Sequence, residues 1–291
     1  MGTEAAGAGR VQRDWLDTWA LIVPMLLLFV LFFAGPLLLL VVASLLDESL
    51  GGPVRLANWV KFLSDSYNLG AVFRTLRLGL AIVLTTLLFA YPLALVARFG
   101  PKWLGRVIVL SALLPFLTSV VVRSFAWIAI LSRDGALNAL LMALGLTSEP
   151  LRLLPSELGL VLALTQIEIP LMLLPILVTL RRIDQRLIEA SEALGASTWR
   201  VLTRVVLPMS LPGLLAGSVF VFSSAVTAFV SQSIIGGSRV VYLTSIIYSN
   251  AMITFDWGMA SVAALILLFS AGAVIAFALV VGGRAERAIY G

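Results

Sequence analysis

An all-α integral membrane fold with six transmembrane helices is predicted by three observations. Hydrophobic residues make up 60% of the 291-residue chain, 12% are charged, and the mean hydropathy is +1.07, a balance typical of polytopic membrane proteins. The charges cluster in the intervals between long apolar runs. Those runs show no sustained two-residue alternation, so the spanning elements are read as helices, which satisfy their backbone groups internally.

Residues 1–17, with Glu4, Arg10, Arg13, Asp14 and Asp17, read as a polar N-terminal tail. Thr18 to Leu46 carries no charge. It would run roughly 43 Å at 1.5 Å per residue, beyond the ~30 Å hydrocarbon core, so it tilts or extends past the interface. It is too long for a signal-peptide core and lacks an evident cleavage site, and is read as a retained first span, 18–46. Residues 47–77 follow as an external loop and 78–281 as a five-helix core. Leu78 to Ala97 lies between Arg77 and Arg98, with Pro92 a place for a kink. Val107 to Leu131 is apolar apart from Arg123 and a few hydroxyls, Leu158 to Leu180 is interrupted by Glu168, and Leu211 to Ile235 is rich in small residues. Gly258 to Val281 is uncharged and precedes a tail, 282–291, with Arg284 and Arg287.

Six spans put both termini on one side. Arg10, Arg13, Arg98, Lys102, Arg106, Arg181, Arg182, Arg186, Arg200, Arg204, Arg284 and Arg287 fall on that side. Arg55, Lys61, Arg74, Arg77, Arg133, Arg152 and Arg239 fall on the other, so the first set outnumbers the second and is cytoplasmic by the positive-inside rule. The same rule accounts for the net charge of +5 without nucleic acid.

Catalytic chemistry has little to work with. The chain has no Cys and no His, which excludes thiolate and imidazole catalysis and the usual zinc and haem ligand sets. Its two lysines, Lys61 and Lys102, precede Phe62 and Trp103, so no GxxxxGK[ST] phosphate loop exists and any ATP hydrolysis must happen on another subunit.

The stretch EASEALGASTWRVLTRVVLP, Glu189 to Pro208, stands between two of the most apolar segments. Ile183, Leu187, Ala190 and Leu194 recur at helical spacing opposite Gln185, Arg186, Glu189 and Glu192, predicting a short amphipathic helix outside the membrane. Gly195 is suited to end it in the left-handed conformation, and Ser197 to N-cap a second helix with an apolar stripe of Val201, Leu202, Val205 and Val206. Pro208 and Pro212 mark entry into the fifth span. An interfacial hairpin on lipid headgroups fits the same pattern. Residue identity separates the two. Glu189, Ala190, Ser191, Gly195, Val205, Leu207 and Pro208 resemble the EAA motif of ABC importer permeases, with Ser for the second Ala and Val for Ile.

Two more stretches, Pro115 to Asn138 and Ser210 to Val230, are similar to permeases of the spermidine/putrescine class, and the resemblance covers roughly Leu56 to Val281. It implies the type I ABC importer transmembrane-domain fold in the bacterial inner membrane. It also implies a coupling helix, formed by the first helix of loop 181–210, that docks on a cytoplasmic ATPase. Glu189 is then the polar anchor, Ala190 and Ser191 permit close approach, Gly195 sets the angle, and Leu207 and Pro208 complete the motif. The partners so implied are two ATPases that bind ATP and Mg, a second permease of related sequence, and an extracytoplasmic solute-binding protein. The chain itself needs no cofactor or metal.

Within the spans, Glu168 is costly, about 2.5–3.5 kcal/mol on insertion scales, so it faces protein or water. It reads either as a translocation-path carboxylate for a cationic solute or as a carboxyl hydrogen-bonded to a neighbouring helix. Arg123 reads as snorkelling to the outer interface, in preference to contacting substrate. Ser224, Thr227 and Ser231 form a stripe that would line a path or pack helices, and Gly213 to Gly217 is a GxxxG. The outer loops Asn58 to Arg77 and Ser132 to Pro155, with an amphipathic Leu137 to Leu146, are docking surfaces for a binding protein or interfacial packing. The competing function is an ATP-independent secondary transporter or channel built on Glu168.

Overall fold

The computed structural model describes residues 22–46, 56–237 and 240–290, with side chains to Arg284. The N-terminal tail, the start of the first span, residues 47–55, Arg239 and the side chain of Arg287 lie outside the described residues. Twelve helical elements order the description: α1 Ile22–Leu45, α2 Ala57–Ser64, α3 Ser66–Phe99, α4 Lys102–Leu113, α5 Val120–Leu131, α6 Ala136–Ala143, α7 Glu157–Arg182, α8 Gln185–Ala193, α9 Thr198–Thr227, α10 229–236, α11 Leu243–Ile253 and α12 Trp257–Tyr290. Among the described residues, six segments are long and apolar enough to cross a membrane: α1, α3, α5 with α6, α7, α9 and α12.

Caps and charges fix the ends of the central helices. Asp65 accepts the Tyr67 N–H at 2.9 Å to start α3, and Ser156 accepts the Gly159 N–H at 3.1 Å to start α7. Glu157 in the first turn of α7 and Arg181 and Arg182 in its last turn complement the helix dipole. Glu157 also pairs with Arg77, joining α3 to α7 at the end remote from loop 183–197. That end is the far end below, and the other is the loop end.

Three helices carry the main core. Leu78, Ile82, Ala90 and Ala94 of α3 meet Leu164, Met172, Leu173, Ile176 and Leu180 of α7 and Leu214, Val221 and Ala225 of α9. A second cluster at the far end joins Phe62, Ala71, Leu243, Ile246, Met259, Val262 and Ala263. The GxxxG pair packs α9 on α7. A Cβ at Gly213 would lie 2.6 Å from Pro175 O, and one at Gly217 would lie 2.8 Å from Met172 Sδ and 3.1 Å from Met172 O. Lipid does not drive apolar helices together, so this close approach is itself a source of cohesion. Gly217→Val is expected to destabilise the fold by about 1–3 kcal/mol, read as an earlier midpoint in SDS titration.

The expected spans and observed helices differ in three places. The second span extends twelve residues before Leu78, to Ser66, because Arg74 and Arg77 bond to neighbouring elements instead of ending the helix. The region 66–77 is therefore helix, not loop. The third span is not continuous over Val107 to Leu131. α4 passes into a 3-10 turn at Leu114–Leu117, which holds Pro115, and the chain is extended at Thr118 and Ser119 before α5 begins. The second helix of loop 181–210 is not separate from the fifth span. It is the first part of α9, which stops at Ala228, short of Ile235.

Candidate coupling loop and intramembrane polar cluster

At the loop end, α7 stops at Arg182 and Ile183 is extended. Asp184 accepts the Arg186 N–H at 2.9 Å and caps α8. At the other end of α8 the Gly195 N–H donates to Glu192 O at 2.9 Å and the Ala196 N–H to Ser191 O at 3.1 Å, the paired bonds of a Schellman ending. Gly195 has φ +82°, the left-handed conformation anticipated from its position. Ser197 occupies the N-cap position of α9, but its side chain makes no capping hydrogen bond.

The buried face of α8 is not the predicted one. Ile183 and Ile188 are buried, whereas Leu187 is 46% and Leu194 89% exposed, and Ala190 is exposed as well. A helix lying on its own protein needs only a narrow contact, which Ile188 supplies. The remaining leucines face away with Glu189, which is exposed, while Ser191 is half-buried and donates to Leu187 O at 2.7 Å. The stripe on the following helix does pack inward: Val201 and Val206 are buried and Leu202 and Val205 lie against the core. Residues 202–206 form a π turn, and the Leu207 N–H donates to Leu202 O. Pro208 has no N–H to give, and the widened turn before it absorbs that loss. Glu189, Ala190, Ser191 and Gly195 thus share α8 and its cap, while Leu207 and Pro208 shape the shaft of α9 behind it.

Farther from the loop, between α7 and α9, Ser224 Oγ donates to Glu168 Oε1 at 2.7 Å. Glu168 is 2% exposed, and its Oε2 is buried without a hydrogen-bond partner among the described residues. One neighbour was not anticipated: Arg123 lies within electrostatic reach of the carboxylate. Nearby in sequence, Gln166 Oε1 accepts from Trp127 Nε1 at 3.3 Å, tying α7 to α5. An unbroken third span puts Arg123 far along the helix. The break at Thr118 and Ser119 instead puts it in the first turn of α5, with Nε buried.

The hydroxyl stripe does not hold together. Thr227 is exposed and donates to Ser223 O at 2.8 Å, while Ser231 is buried and lies 3.3 Å from Ser124 Oγ. The interruption at Ala228, φ −73° and ψ 54°, rotates Ser231 out of register. Of the four side chains, the structure hydrogen-bonds only those of Glu168 and Ser224 to each other. A cavity of about 470 Å³ opens between α7 and α9 at the loop end, lined by Thr179, Arg182, Met209 and Gly213 among others. The Gly217–Met172 contact lies between that cavity and Glu168.

The chain is similar to known proteins over most of its length. The chain is 30% identical to the spermidine/putrescine transport system permease protein PotB of Haemophilus influenzae over 249 residues, 84% of this chain and 85% of that one. It is 26% identical to PotB of Escherichia coli K12, over 89% of this chain and 94% of that one. It is 31% identical to the putative 2-aminoethylphosphonate transport system permease protein PhnU of Salmonella typhimurium, over 84% and 85%. A chain in the crystal structure of a bacterial alginate ABC transporter, in complex with an alginate pentasaccharide-bound periplasmic protein, superposes with a TM-score of 0.78 at 18% identity, over 96% of this chain and 97% of that one. That likeness shows the fold. Residues 90–282 match the family described as binding-protein-dependent transport system inner membrane component, and the chain belongs to that family as a multi-pass permease component of an ABC importer.

Proposed function

We propose that this chain is one of two permeases in an ATP-driven importer whose ATPases dock on α8 at the cytoplasmic face. The observation that carries the reading is the exposed face of α8, with Glu189, Ala190 and Leu194 turned away from the permease. A helix held at one end by α7 and at the other by the Schellman turn into α9 transmits any push on it to two spans. Both termini lie on that same face. An extracytoplasmic binding protein delivers solute at the far end, a second, related permease completes the path, and ATP and Mg sit on the partner ATPases.

The solute is a small molecule bearing an ammonium group, with polyamines favoured. A buried carboxylate with one unpartnered oxygen suits a cation, and its desolvation makes an incoming positive charge worth more than it is in water. The named solutes of PotB and of PhnU share an amine.

The test is purification from native membranes in mild detergent, followed by reconstitution of whatever co-purifies into liposomes with internal ATP. Co-purification of an ATPase and a second permease, with ATP-dependent uptake of labelled spermidine once the binding protein is supplied, is the expected result. Uptake by this chain alone without ATP would replace the importer with a secondary transporter centred on Glu168.

A further inference from the structure

α3 is one continuous helix of 34 residues, about 51 Å at 1.5 Å per residue, and side chains tie both of its ends to other elements. At the loop end, Arg98 donates from Nε to Leu180 O at 3.1 Å and from Nη2 to Ile183 O at 3.4 Å. The last carbonyls of a helix have no partner of their own, and a cation there is favoured by the helix dipole. Arg98 therefore clasps the joint at which α7 turns into α8. Leu180 and Ile183 are themselves buried, so the clasp belongs to the packed core.

At the far end, the Leu243 N–H donates to the buried Thr75 Oγ1 at 2.9 Å, and Arg74 Nε donates to Val241 O at 3.1 Å. Residues 241–243 lead into α11, where Tyr248 stacks on Phe229 with ring centroids 4.7 Å apart. Phe229 is the residue just beyond the interruption of α9 at Ala228. α9 is attached directly to α8 but stops being a continuous helix before it reaches this region. α3 does reach it, and its one proline, Pro92, lies less than two turns from Arg98.

We infer that α3 is a strut that carries displacement of α8 to the α10–α11 region, with Arg98 and Thr75 as the positioning residues at its two joints. This rests on the coupling role proposed for α8. The strut adds a third span to the two that the loop moves directly, and it links the loop end to the far end without passing through the interruption in α9.

The chain has no cysteine, so spin-label pairs introduced as cysteines report without background. One pair, Gln185 with Val280, follows α8 against α12. A second, Met252 with Phe269, follows α11 against α12; all four positions are exposed. Both distances are measured in the assembled importer in liposomes, nucleotide-free and trapped with ATP and vanadate. In the otherwise unaltered protein both distances shift on trapping. Arg98→Ala is expected to retain the first shift and lose the second, with partial restoration in Arg98→Lys. Thr75→Val, close in shape, is expected to show the same loss and Thr75→Ser to recover it. It decides the matter should Arg98→Ala not assemble. A second shift of full size in Thr75→Val and in any assembled Arg98→Ala overturns the strut and leaves the coupling role standing. Absence of the first shift in the unaltered protein overturns the coupling role and the strut with it.

Discussion

Gly195→Pro is expected to reduce ATP-driven uptake to background while the chain still accumulates in the membrane. Gly195 holds φ +82°, and proline is fixed near −65°. Proline also removes the N–H that donates to Glu192 O, so the turn must open and α8 must leave its angle to α9. The strain is conformational only, because a Cβ at Gly195 would meet nothing within 4 Å. A graded series follows: Gly195→Asn close to unaltered, Gly195→Ala weakened by about 1–2 kcal/mol of left-handed strain, and Gly195→Pro inactive. Glu189→Arg acts on the same step from the partner's side. On the proposed docking the ATPase covers Glu189, and reversing a charge so covered costs about 2 kcal/mol or more, roughly thirtyfold in affinity, so the ATPase should no longer co-purify. Unimpaired uptake by both Gly195→Pro and Glu189→Arg would remove α8 from the coupling mechanism.

Glu168→Gln is the second large effect. The amide still accepts from Ser224, so helix contact between α7 and α9 is preserved while the charge is lost. A hydrogen bond to a charged group contributes about 1.5–3 kcal/mol, so labelled spermidine uptake is expected to fall by roughly ten- to a hundredfold with unchanged protein level. Glu168→Leu removes both charge and bond. Full uptake by Glu168→Gln, with loss only in Glu168→Leu, would make the carboxyl a packing element and leave the solute to be recognised elsewhere.

How far the sequence could be read depended on what marks each feature. α7 was legible within two residues at either end, Leu158 to Leu180 against Glu157–Arg182, because charges bracket it on both sides. The turn at Gly195 was legible because few residues other than glycine adopt its backbone angles. Hydropathy finds the part of a helix that meets lipid, so it missed the first twelve residues of α3, where Arg74, Thr75 and Arg77 bond to other elements. The interruption at Ala228 carries neither glycine nor proline, and with it went the register of Ser231. Arg123 was misplaced for a related reason: Pro115 sat in an apolar run and gave no sign that the chain would be extended at Thr118 and Ser119. On α8, periodicity identified an apolar face without saying whether the chain itself or another protein covers it. The pairing of Glu168 with Ser224 depends on how two distant segments pack, which spacing within either one does not encode.

The outward leucines of α8 bear on how the protein is produced. Leu187 and Leu194, together with Trp199 at 72% exposed, are large apolar side chains left uncovered at the loop end, and exposed apolar groups of this kind promote nonspecific association when left bare. On the proposed reading those side chains are shielded only in the assembled importer. A copy synthesised without an ATPase to meet it displays the residues that chaperones and membrane proteases recognise, and an assembled copy does not. Subunit ratio then becomes a matter of quality control: surplus permease is cleared because its own coupling surface identifies it as an orphan.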